Sequence, residues 1–217
     1  MKPRVRAAVG FLVLAAGSLT AQTKVAVPDS GVAYSRDSSL VAFVKRVRGP
    51  LIQAGSGDAS STELWIARRD GSRARRLVAP RTANDMRFVL AGLSSPTFAN
   101  DGKRIFFLSA AWVVSDALHV VDIASGRQHY VAPANSLEIV RGGRYAGCLL
   151  LQQHRYWLSY GTYDWLWLFA ENGREIGPIA NVDADDFDER LSEFKLLFNA
   201  DSAVAKTHSC ATPPKDR

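Results

Sequence analysis

The residues with the means to do chemistry are four histidines, two cysteines, a run of acids and one Ser-x-x-Lys quartet. His119, His129, His154 and His208 are scattered, with none of the short spacings that gather metal ligands. None stands at a recognisable spacing from a nucleophile, so each reads as a structural side chain rather than a general base. Ser192-Glu193-Phe194-Lys195 fits the Ser-x-x-Lys pattern, but it falls on a stretch whose apolar spacing already reads as a packed helix. No Gly-x-Ser-x-Gly elbow and no phosphate-cradling glycine loop occurs. Asp183, Asp185, Asp186, Asp188 and Glu189 lack the glycine that an EF-hand calcium loop requires. No residue is therefore assigned a catalytic, cofactor-binding or metal-ligating role, and no cofactor is expected. An enzymatic alternative would need polar side chains from distant loops, such as Asp37, Asp101 and His154, to converge.

Cys148 and Cys210 allow two readings. They form a disulfide that ties the tail to the body, or Cys148 is a buried apolar side chain and Cys210 lies in a polar tail. A catalytic thiol has no activating histidine at a recognisable spacing.

Two groups have the chemistry of recognition. Arg68, Arg69, Arg73, Arg75 and Arg76 cluster around one hairpin turn. Strand alternation predicts Arg73 and Arg75 on one face, with Arg68 opposing them across the hairpin and Arg76 on the other face. Arg68, Arg73 and Arg75 then form a positive patch for an acidic protein or anionic head groups; a charged edge that discourages sheet-to-sheet pairing is the alternative. The second group is aromatic. Tyr156, Trp157 and Tyr160 are read as lying in the loop that precedes a strand and are expected to be exposed, which makes them candidate binding residues. Tyr163, Trp165, Trp167 and Phe169 share one face of that strand while Leu166, Leu168 and Ala170 share the other. Apolar residues on both faces predict a strand buried between sheets, with a carbohydrate or peptide platform as the alternative.

The elements that must hold these residues come in repeats. Leu64-Trp65-Ile66-Ala67-Arg68-Arg69-Asp70-Gly71 aligns without a gap on Leu166-Trp167-Leu168-Phe169-Ala170-Glu171-Asn172-Gly173. Leu118 to Gly126 is a third copy with one extra residue. Each is a β-prone run closed by Asp-Gly, Asn-Gly or Ser-Gly, which suits a hairpin turn. Second strands are expected over Arg73–Val78, Arg127–Val131 and Arg174–Ile179. Upstream, Ser35 to Phe43 matches Phe98 to Phe107, and Val140 to Cys148 is a more divergent third version. Each unit reads as strand, turn, strand, loop, strand, turn, strand, a four-stranded antiparallel sheet of the kind that forms a propeller blade. The glycine-rich stretch Arg48–Ser61 is expected to be a flexible surface loop of the first unit.

Asp101-Gly102-Lys103-Arg104-Ile105-Phe106-Phe107, followed by an apolar strand closed by Ser125-Gly126, resembles the TolB-type (WD40-like) β-propeller repeat. The first unit is similar, with Ser38-Ser39 where the repeat usually has Gly-Lys. The resemblance covers about residues 30–180 and implies a scaffold, with no catalytic residues to carry over. The third unit, with Arg141-Gly142-Gly143-Arg144-Tyr145-Ala146-Gly147 and the aromatic run after it, also resembles small exported bacterial proteins of unassigned role. Propellers close with about four to eight blades, and only three units are legible here. The fold expected is all-β: about three four-stranded antiparallel blades in an incomplete or open propeller. The alternatives are strands added by the first or last segments, and a homodimer joined through blade edges. A C-terminal amphipathic helix over about Asp185–Asn199 is read from Phe187, Leu191, Phe194 and Phe198.

The chain ends complete the organisation. Lys2, Arg4 and Arg6, then the apolar run Ala7–Leu19 and the small residue Ala21, have the layout of a secretory signal over residues 1–21. The run is too short for a bilayer span, and no later segment has the length. A blade domain over 22–180 and a helix and tail over 181–217 follow. The 217 residues carry a formal charge of +6; removing a signal with three basic residues and no acid leaves +3. That surplus is too small to argue for nucleic acid. With 47% hydrophobic and 22% charged residues, the composition excludes collagen-like and disordered classes. The function expected is an exported, periplasmic or secreted, non-catalytic binding protein whose partner is another envelope protein. The alternatives are a hydrolase or lactonase acting at the blade axis, and an inhibitor or immunity protein against an envelope-acting enzyme.

Overall fold

The computed structural model describes residues 24–28, 31–55, 57–156, 161–199 and 210, with the side chains of 197–199 excepted. The expected signal at 1–21, His208, and the candidate binding residues Trp157 and Tyr160 lie outside them.

The first unit forms β1 (Val32–Tyr34), β2 (Leu40–Arg46), a small hairpin of β3 (Ile52–Ala54) and β4 (Gly57–Ala59), then β5 (Thr62–Arg68) and β6 (Arg75–Val78). The second contains β7 (Ser94–Phe98), β8 (Arg104–Ser109), β9 (Asp116–Asp122) and β10 (Gln128–Ala134). The third contains β11 (Ser136–Ile139), β12 (Leu149–Tyr156), β13 (Thr162–Phe169) and β14 (Glu175–Asn181). Each unit is a four-stranded antiparallel sheet with its strands in chain order, so the three expected blades are present. A C-terminal helix α1 (Phe187–Asn199) follows, two residues shorter at its start than the spacing suggested.

Side chains in the aligned turns explain why the repeats fold alike. Asp37 and Asp101 accept hydrogen bonds from the backbone N–H of Ser39 and Lys103, at 3.1 and 2.8 Å. Asp70 and Asn172 do the same for Ser72 and Arg174 in the later turns, at 2.9 and 3.0 Å. Such local acceptors stabilise a tight turn without help from the rest of the fold.

The blades stack face to face. β8 shows how: Ile105 and Phe107 point to blade 1, where they join Ala42, Leu64, Ile66 and Val78. Phe106 and Leu108 point the other way and join Ile139, Leu149, Leu151 and Phe169 of blade 3. A strand buried on both faces needs apolar residues throughout, as Ile105 to Leu108 supply.

The two outer faces of the stack are covered by the chain itself. On blade 1, Val25 and Val27 pack over Val41, Phe43 and Ala67, and the Val25 N–H donates to the Gly71 carbonyl at 3.0 Å. On blade 3, Phe187, Leu191 and Phe194 of α1, with Cys210, cover Cys148, Leu150, Leu166 and Leu168. The geometry at the blade 1 end repeats one inside the stack. The Val25 carbonyl lies against Gly71 as the Val131 carbonyl of β10 lies against the aligned Gly173; a Cβ at either glycine would come within 2.3 Å of that oxygen. At this contact Val25 holds, on blade 1, the place that Val131 of β10 holds on blade 3.

Three expectations need correction. Arg48–Ser61 is not a free loop: Ile52 and Ala54 of its hairpin are buried against Val89 and Ala91 of the connection between blades 1 and 2. Apolar Ile52 and Ala54 gave the stretch a face to bury despite its glycines. Arg73 does not lie on a strand; it sits in the turn at φ +53°, and β6 begins at Arg75. The aromatic face of β13 is only partly core, with Phe169 buried but Tyr163, Trp165 and Trp167 half-buried.

Candidate functional site

The topology sorts the loops to two ends. Antiparallel strands in chain order place the turn after the first strand and the turn after the third strand of every blade at one end. The loops after the second strand, and the connections between blades, lie at the other end. The first strands β1, β7 and β11 touch in sequence and form the axis side of the stack.

At the turn end, the three axis turns bring Arg36, Asn100 and Arg141 to one cleft. Each lies two residues past the end of a first strand, and the repeats place all three in one aligned column. The cleft, of about 280 Å³, is lined by Tyr34, Arg36, Phe98, Ala99, Asn100 and Arg141. The guanidinium of Arg141 donates through Nη1 to the Phe98 carbonyl and to Asn100 Oδ1, both at 3.0 Å. Asn100 Nδ2 in turn donates to the Val140 carbonyl at 2.9 Å. This reciprocal pair aims Arg141 across the junction of blades 2 and 3 with neutral acceptors only. Arg36 has no hydrogen bond, ion pair or ring contact among the described residues. Tyr34 is exposed, and the Arg69 guanidinium lies 5.6 Å from its ring centre, within cation–π range.

An adjoining cleft shares Arg36 and Asn100 and adds Asp37 and Asp101. Both acids are already engaged. The Ser35 hydroxyl donates to Asp37 at 2.6 Å, and this bond, with those from Ser39, lowers the carboxyl's pKa to about 2. Asp101 pairs with Arg104 at 2.8 Å.

The expected site residues fall at both ends. Arg68 and Arg73 are exposed at the turn end, beside Arg69. Arg75 is also there, but its guanidinium donates to the Ile123 carbonyl of blade 2 and so bridges two blades. Arg76 pairs with Glu63 at 2.6 Å. Burial works against the charge of Glu63, yet hydrogen bonds from Arg76 and Trp65 hold its pKa below the usual value. The one-faced arginine patch is therefore divided between solvent and structural contacts. Tyr156 is not a loop residue but the last residue of β12, paired with Thr162; it is 68% exposed at the opposite end, with its ring edge-on to His154. Exposed Leu51, Phe88, Val113 and Val114 share that end.

The Arg155 guanidinium of β12 lies 3.5 Å from the centre of the Trp167 ring of β13 and pairs with Glu175 of β14 at 2.6 Å. That contact covers the inner part of the aromatic face. His154 does not join Asp37 and Asp101. It pairs with Asp164 at 3.2 Å, five residues along β12 from the turn end, roughly 17 Å at the rise of a strand. Cys148 and Cys210 form a disulfide with their Cα atoms 5.0 Å apart, which decides between the two readings of the cysteines.

Residue-by-residue chemistry passed over Tyr34, Arg36, Asn100 and Arg141. The signal that finds them was present: aligned repeats place Arg36, Asn100 and Arg141 in one column, and a column of a stacked repeat becomes a ring of neighbours.

No family model and no curated protein matches the chain. Several solved structures match, a β-propeller domain among them. TolB from Acinetobacter baumannii is 13% identical, with a TM-score of 0.44 over 72% of this chain and 33% of that one. The β-propeller domain of the Trilobed protease from Pyrococcus furiosus is 16% identical, with a TM-score of 0.43 over 69% of this chain and 41% of that one. Porphyromonas gingivalis dipeptidyl peptidase 4 is 12% identical, with a TM-score of 0.46 over 69% of this chain and 24% of that one. This chain thus spans less than half of the length of each. What it is similar to is the blade architecture of these proteins, which the three stacked sheets display on their own.

Proposed function

We propose that this chain is an exported, non-catalytic binding protein that recognises another envelope protein with the turn end of its three blades. The observation that carries the reading is the convergence of Arg36, Asn100 and Arg141 on one open cleft, with exposed Arg68, Arg69 and Arg73 at the same end. Loops held on a rigid sheet scaffold suit recognition, because the sheets fix their geometry before a partner arrives. Export is supported by the layout of residues 1–21, and the Cys148–Cys210 disulfide fits an oxidising compartment.

The test is capture of a partner from envelope extract by the chain starting at Gln22, with its mass in solution and cross-links mapped. One envelope protein recovered in stoichiometric amount, cross-linked to the turn end, is the expected result. Cross-links confined to the Tyr156 end overturn this choice of surface. A stoichiometric metal in the purified chain, with hydrolytic turnover, overturns the non-catalytic reading.

A further inference from the structure

We propose that the cleft formed by Tyr34, Arg36, Asn100 and Arg141 is a carboxylate-binding site that takes an acidic group presented by a protein segment. The proposal deepens the binding reading above and rests on it.

Three features of the cleft point to this ligand. First, Arg141 is held in place without being neutralised. Its Nη1 is occupied by the Phe98 carbonyl and Asn100 Oδ1, so orientation is fixed by neutral acceptors while the positive charge stays uncompensated. An arginine positioned before its ligand arrives loses less side-chain entropy on binding, and its planar fork matches a carboxylate. Second, Arg36 supplies a second guanidinium at the same cleft with no partner of its own among the described residues. Third, the remaining lining is largely carbon: buried Phe98 and Ala99 and the exposed Tyr34 ring. Such walls suit a carboxylate on a carbon stem.

Size and surrounding charge narrow the class. About 280 Å³ lies at the lower limit of ligand pockets, enough for one side chain or one chain terminus. Ionised Asp37, with its pKa near 2, and Asp101, in its ion pair with Arg104, stand in the adjoining cleft. Both repel any anion, and the repulsion is about twice as large for a phosphate dianion as for a singly charged carboxylate, so the acids bias the two-arginine cleft toward the carboxylate.

Two sources could present the carboxylate, an Asp or Glu side chain or a C-terminus, and the experiment separates them. The disulfide-bonded chain from Gln22 is titrated calorimetrically with three tetrapeptides. One is acetylated, amidated and carries two glutamates; one is acetylated alanine with a free C-terminal carboxylate; one is the same alanine peptide amidated. At least one of the first two binds and the neutral amide does not. The arm that binds names the source.

Arg36→Gln and Arg141→Gln each weaken binding about tenfold or more, as loss of a charged hydrogen bond implies, while Arg190→Gln on the exposed helix leaves it unchanged. Arg36 makes no hydrogen bond, ion pair or ring contact among the described residues, so its variant reports on the cleft even if Arg141→Gln disturbs folding. Equal binding of the neutral amide, no binding by either acidic peptide at millimolar concentration, full displacement by equimolar inorganic phosphate, or unaltered binding by Arg36→Gln overturns the proposal. If the Arg36→Gln/Arg141→Gln double variant still captures the envelope protein, the carboxylate site fails while the partner reading stands. If acidic peptide binds but no envelope protein is captured, the partner reading fails and the site stands.

Discussion

The guanidinium of Arg104 lies 2.7 Å from the carboxylate of Glu171, linking the second strand of blade 2 to the closing turn of blade 3. The same guanidinium holds Asp101 at 2.8 Å, so one cation joins two turns of different blades. Glu171 is only 5% exposed. Burial raises its pKa, against the pull of Arg104.

Arg104→Met leaves Glu171 buried without its cation, and removing one partner of a buried pair is the costly way to break it. The expected loss is about 3 kcal/mol by denaturant unfolding. Glu171→Gln keeps an acceptor of the same shape and costs about 1 kcal/mol. Equal effects would show that the pair is not energetically buried.

His119 is 1% exposed, stacked on Phe107 and edge-on to Tyr130, and its Nε2 finds no hydrogen-bond partner among the described residues. Burial, with lesser effects of Arg81 and His129, lowers its pKa from 6.5 to about 4. Between those values the unfolded chain takes up a proton that the folded chain refuses. Stability from this group is therefore intact above about pH 6.5 and declines as pH falls to about 4, by up to about 3 kcal/mol. His119→Phe should flatten that part of the stability–pH curve, measured as the urea midpoint at each pH.

The Cys148–Cys210 bond closes a loop with a sequence separation of 62. By the chain-entropy relation, reduction lowers stability by about 4 kcal/mol. Denaturant curves with and without reductant measure it. Since Cys210 packs in the same cluster as Phe194 and Leu168, reduction should also increase binding of a hydrophobic dye.

Three hairpin turns allow a comparison within one molecule. Gly71, Gly126 and Gly173 share a positive φ, but a Cβ would strike a neighbouring carbonyl at 2.3 Å only at Gly71 and Gly173. Gly126→Ala should cost about 1 kcal/mol of backbone strain. Gly71→Ala and Gly173→Ala should cost at least about 1 kcal/mol more, because each also pushes a neighbouring segment off its blade. Gly71→Ala should expose the 24–28 segment to proteolysis as well. Equal costs at all three positions would show that Val25 is not held against Gly71.

Much of the fold was legible because its cause is local. Asp70-Gly71, Ser125-Gly126 and Asn172-Gly173 mark turns through their own φ preferences and side-chain acceptors, and the strands between them carry β-prone residues. Phe187, Leu191 and Phe194 marked a helix face by spacing alone. Arg73 escaped this logic because positive φ is uncommon outside glycine, so nothing in its residue type marked it as part of the turn that moved the strand start to Arg75. The hairpin at Ile52–Ala59 escaped it because three-residue strands carry too little periodicity to register.

Sequence alone therefore determined that three small antiparallel sheets form, where their turns lie, and which helix follows, since all of these depend on residues near one another in the chain. Tertiary structure decided what those sheets meet. It paired Cys148 with Cys210, set Val25 and Val27 over the face of blade 1, and divided the arginines between solvent, Ile123 and Glu63. It also brought Arg36, Asn100 and Arg141 to one cleft, because positions separated by a whole repeat become neighbours only when the blades stack.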